Sequence, residues 1–63
     1  MVLLNCRVIR EKKGLTLFEV AAGAGCAVTT IQNAEKGRGV FRNTGKRIAA
    51  ALGEKLENVV GKI

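Results

Sequence analysis

Apolar residues recur along this chain at spacings of three and four, and glycines divide the pattern into five segments of helical length. The first, about Leu3 to Lys13, sets Leu3, Cys6 and Ile9 on one side, with Arg7, Arg10 and Lys13 alternating with them. Gly14 ends it, just after Lys12 and Lys13, two cations well placed at the negative end of a helix. The second opens on "TLFE": Thr16 can cap the backbone N–H three residues on while Glu19 reaches back, a capping box. Leu17, Val20, Ala21 and Ala24 then form a stripe, and Ala21 is small enough for a neighbouring helix to approach closely. Gly23, inside this segment, is a weak link costing about 1 kcal/mol against Ala.

The third segment, Ala27 to Lys36, puts Ala27, Thr30, Ile31 and Ala34 on one arc. Thr29, Gln32, Asn33 and Lys36 fall on the opposite arc, with Val28 at its edge. The fourth runs about Thr44 to Leu52, with Asn43 as its expected cap and Ile48, Ala49 and Leu52 inward. The fifth carries Leu56, Val59, Val60 and Ile63 at i, i+3, i+4 and i+7. Part of that last stripe is expected to support a weak homodimer, the alternative being that all four residues close the monomer core. No strand pattern competes. The expectation is an all-α fold, a compact five-helix bundle forming a single domain over residues 1–63.

Between the second and third segments, "AGCA" leaves only a few residues around Gly25, whose missing side chain permits a sharp reversal at positive φ. Two helices joined by such a turn, the first with Ala at its packing point, predict a helix-turn-helix unit.

Composition narrows the function. A chain of 63 residues buries only about 60% of the surface its unfolded form exposes, so stability is expected to be modest. His and Ser are absent, no paired Asp occurs, and Cys6 and Cys26 are too far apart for a metal-ligand pattern. Neither an enzyme nor a metal or other cofactor is therefore expected, and both thiols read as small buried hydrophobes. With aromatics at 3%, base-stacking platforms are not expected. No apolar run approaches the roughly 20 residues of a membrane span, and charges come too early for a signal peptide. The expected location is cytoplasmic.

Formal net charge is +6, and its distribution is more telling than its size. Lys36, Arg38, Arg42, Lys46 and Arg47 follow one another with no acid from Lys36 through Gly53. That asymmetry points to a polyanionic partner.

Several stretches together resemble the phage-repressor (Cro-like, xenobiotic-response-element) helix-turn-helix family. "IREKKGLTLFEVAAGAG" is similar to its first two helices and the step between them, and "TTIQNAEKG" to its recognition helix. "IAAALG" and "LENVV" are similar to its fourth and last helices, so the likeness covers nearly the whole chain. The resemblance implies sequence-specific binding of double-stranded DNA by a transcriptional regulator, commonly a homodimer, with the third helix in the major groove. It assigns base contacts to Val28, Thr29, Gln32 and Asn33, and phosphate contacts to Arg38, Arg42 and Asn43 in the loop before the fourth helix. Lys36, at the helix exit, joins the phosphate group, and Arg10 and Glu35 match a family ion pair. There are departures: Leu17 replaces a polar residue that meets phosphate, Phe18 replaces a common acid, and Ala27 and Lys55 replace Ser or Thr caps. The loop before the fourth helix is also about one residue short of the family's usual length.

A recognition face without cations until Lys36 is physically reasonable. Cations hold phosphate without reading sequence, whereas amides and methyl groups read base edges. Two other readings of the same residues are open. Leu17 and Phe18, with the terminal stripe, suit a protein-binding or antitoxin-type module of the same fold. A phosphate-binding loop in "GRGVFRNTGKR" fails on spacing, on Arg47 where Ser or Thr is needed, and on the lack of a preceding strand.

Overall fold

In the structure, a computed structural model describing residues 1–61, the described residues form five helices and no strand. These are α1 (Cys6–Lys12), α2 (Leu17–Ala24), α3 (Val28–Glu35), α4 (Arg42–Leu52) and α5 (Leu56–Val60). The all-helical expectation is met. Ile63, the last position of the terminal stripe, lies outside the described residues.

The core is aliphatic, and α2 against α4 is its most extensive contact. Val20, Ala21 and Ala24 of α2 meet a cluster that includes Ile48, Ala49 and Leu52 of α4, with Leu3, Cys6, Ile31, Ala34 and Val59 around them. No polar or charged residue is buried among the described residues. Gly23 acquires a reason here. A Cβ at this position would stand 3.1 Å from Ala51 Cβ, so the residue read as a weak link is one where α4 packs too closely for a side chain to enter freely.

Local capping follows the sequence at α2. Thr16 Oγ1 accepts from the Glu19 N–H at 3.0 Å, and Glu19 Oε1 accepts from the Thr16 N–H at 2.8 Å. Gly25 closes the helix at φ 69°, a left-handed conformation that Gly adopts without Cβ strain, and the chain turns directly into α3.

Four boundaries and faces differ from the sequence reading. α1 starts at Cys6 rather than near Leu3, because Asn5 turns toward α5: its N–H donates to Val59 O and its Nδ2 to Asn58 O, each at 3.0 Å. α4 starts at Arg42, with Phe41 rather than Asn43 in the N-cap position. Ala27 is exposed, since it is the extended N-cap of α3 and does not follow the helical wheel. Cys26 is half-buried rather than buried, while Cys6 is fully enclosed.

One long side chain joins the two ends of the fold. Lys13 Nζ donates to Leu52 O at 2.6 Å and meets Glu54 Oε2 at 3.0 Å, placing a cation on the carbonyl end of α4. The Lys13 hydrogen bond to the Glu54 carboxylate, followed by one from Asn58, holds that carboxyl below its ordinary range.

Candidate nucleic-acid interface

Two fully buried residues, Ile31 and Ala34, orient α3. Their burial turns Thr29 and Gln32 outward, both exposed, and leaves Asn33 half-buried beside them. Val28 is half-buried and packs partly on the core, so its side chain is divided between interior and surface. Shallow depressions flank the helix on two sides. Asn33 and Thr30 line one of about 280 Å³ with Phe41 and Thr44, and Gln32 lines another of about 270 Å³ with Arg7, Arg10, Leu17 and Lys36.

The exit of α3 is rigidly tied to the chain that follows. Lys36 is its C-cap, and the Arg38 N–H donates to Asn33 O at 3.0 Å, so Arg38 is referenced to the helix. Arg42 and Asn43 lie in the first turn of α4 and not in the preceding loop, because the helix begins earlier than expected. Both remain exposed, as do Lys36 and Arg38.

Electrostatics sharpens the picture. Three of the five acids pair with cations of α1 or its end: Glu11 with Arg7, Glu35 with Arg10 and Glu54 with Lys13. Glu19 is engaged in the α2 capping box. Among the described residues, Lys36, Arg38, Arg42, Lys46 and Arg47 have no carboxylate within ion-pair distance. Ion pairing thus engages three of the four cations in residues 7–13 and none of the five between Lys36 and Arg47.

The Arg10–Glu35 pair sits where this charge boundary falls. Arg10 Nε is 2.5 Å from Glu35 Oε2, Nη2 is 3.3 Å from Oε1, and Nη1 donates to Leu15 O at 2.9 Å. Both side chains are largely buried, at 14% and 11% exposure. The hydrogen bond to Glu35 pushes the Arg10 guanidinium further above its ordinary pKa, against the opposing effect of burial.

Leu17 and Phe18, taken together in the sequence, separate in space. Leu17 is half-buried against the core, whereas Phe18 is 74% exposed. Three residues had no assigned role from sequence: Lys46 and Arg47, both exposed on α4, and Phe41. The acid-free run already contained all three, but a run of sequence does not say which members share a face. Arg47 comes near enough to Cys26 to oppose the burial that raises that thiol's pKa.

No helix in the described residues is long and apolar enough to cross a membrane. No protein-family profile, curated protein or solved structure matches the chain.

Proposed function

We propose that this protein binds double-stranded DNA sequence-specifically as a transcriptional regulator, with α2, the Gly25 turn and α3 acting as a helix-turn-helix. α3 lies in the major groove, where Thr29, Gln32 and Asn33, with the exposed part of Val28, meet base edges. Lys36, Arg38, Arg42 and Asn43 meet phosphates on the flank. The resemblance of the sequence motifs to the phage-repressor class supports the same reading. The observation that carries it is that α3's outward amide face is followed along the chain by five exposed cations with no acidic partner among the described residues. Gel-shift titration on duplexes selected from a random pool tests it: binding is expected to be selective and to weaken steeply with salt. Equal affinity for every duplex, or none, overturns it.

The protein acts as a weak homodimer. Val59 is spent on the monomer core, but Leu56 and Val60 are only half-buried and border an open apolar groove with Met1, Arg42, Lys55 and Glu57. Opposite charges at Lys55 and Glu57 suit a two-fold contact, in which each pairs with the other's counterpart. Phe18 favours a second reading, a protein partner gripping the start of α2, since its exposed ring there has no cation beside it in sequence. Capture of one protein without any DNA affinity would put that reading first.

A further inference from the structure

Phe41 opens α4 in a position where a side-chain oxygen usually caps the helix, and it has none to offer. Its ring is 86% exposed, more than any other large hydrophobic residue described. Covering such a phenyl group with an apolar surface is favourable. The neighbours decide by what. Arg38 stands three residues before it and Arg42 directly after, both exposed, in the stretch that contains no carboxylate. A nucleic-acid backbone matches that arrangement, because each sugar is an apolar plate lying between two anionic phosphates.

The position is also well fixed. The Gly45 N–H donates to Phe41 O at 2.9 Å, and the preceding Val40 exchanges backbone hydrogen bonds with Met1, each at 2.7 Å. Phe41 borders the depression that also contains Asn33 of α3, so a strand tracking this edge of the recognition helix passes its ring.

We propose that Phe41 packs on a deoxyribose of the DNA backbone, between phosphates held by Arg38 and Arg42, and supplies a part of the affinity that does not depend on salt. This rests on the DNA-binding reading above. Counterion release accompanies contacts made by cations, not by a phenyl ring, so the two kinds of contact separate in a salt titration.

The test compares wild type with Phe41→Ala, Phe41→Leu and Arg38→Ala on selected and scrambled duplexes at several salt concentrations. Thermal melts come first. Because the ring is exposed, Phe41→Ala is expected to melt as the wild type does. It is expected to lose about tenfold in affinity on both duplexes at every salt concentration, with an unchanged salt slope. Phe41→Leu is expected to recover most of that loss, and replacing thymine by uracil throughout the duplex to leave the loss as it was. Wild-type affinity in Phe41→Ala, beside a weakened Arg38→Ala with a flatter slope, overturns the proposal and leaves the DNA reading intact. A loss confined to the selected duplex, or one that vanishes with uracil, makes Phe41 a base reader and overturns the sugar contact. A wild type that binds no duplex removes both readings.

Discussion

Arg10 and Glu35 tie α1 to the last residue of α3 through two guanidinium–carboxylate contacts, at 2.5 and 3.3 Å. The pair therefore pins the C-terminal end of the proposed recognition helix to α1. It also confines Glu35, the only acid on α3, away from the cations that follow.

Arg10→Met is expected to strand the Glu35 carboxylate in a largely buried site. Removing one member of a fully buried pair costs on the order of 3–5 kcal/mol; residual solvent contact here brings the expectation to roughly 2–4 kcal/mol. In so small a domain that is a large share of total stability. The melting temperature should fall by roughly 8–30 °C, at about 4–8 °C per kcal/mol. An unchanged melt would mean the pair carries no net stability.

The buried thiol of Cys6 gives a pH dependence. Burial, with a smaller contribution from Glu35, pushes Cys6 from 9.0 to about 11. Its folded-state pKa is raised, so the native protein holds this proton when the unfolded chain has lost it. The associated stability is complete below about pH 9 and is lost as pH rises through about 11. Melts across that window should decline more steeply for wild type than for Cys6→Ala, by on the order of 2–3 kcal/mol in total. A thiol reagent at pH 8 should modify half-buried Cys26 well before Cys6. Equal rates would contradict the enclosure of Cys6.

Reading and holding should separate by mutation. Asn33→Ala is expected to cost about 1–3 kcal/mol on the preferred duplex and little on random DNA. Arg38→Ala should weaken both nearly equally and reduce the slope of log affinity against log salt by about 0.9 for each lost contact in each bound subunit. If Asn33→Ala weakens both duplexes alike, it does not read bases. An unchanged salt slope in Arg38→Ala removes that residue from the phosphate contacts.

The dimer contact can be tested by charge exchange. Lys55→Glu should weaken self-association by setting like charges against each other, and the double variant Lys55→Glu/Glu57→Lys should restore it. Sedimentation equilibrium, free and on a two-fold site, reads both. Loss in the single variant without recovery in the double one would reject the pairing.

The sequence by itself determined what neighbours within four residues decide. Thr16 and Glu19 make the capping box, Gly25 turns the chain, and Ile31 and Ala34 set α3's face by periodicity alone. Tertiary structure decided whatever depends on residues far apart in the chain. Gly23 is explained only by Ala51 across the α2–α4 contact, and the start of α1 by Asn5 turning to Val59 and Asn58. The half-burial of Cys26, read from the sequence as buried, is of the same kind. So is the concentration of positive charge. A run of basic residues was visible from the start, and the resemblance named the Arg10–Glu35 pair, but Lys13 reaching Glu54 was shown only by the structure. Ion pairs between distant segments form only once packing has brought them within a few ångströms, and no local pattern in the sequence encodes that distance.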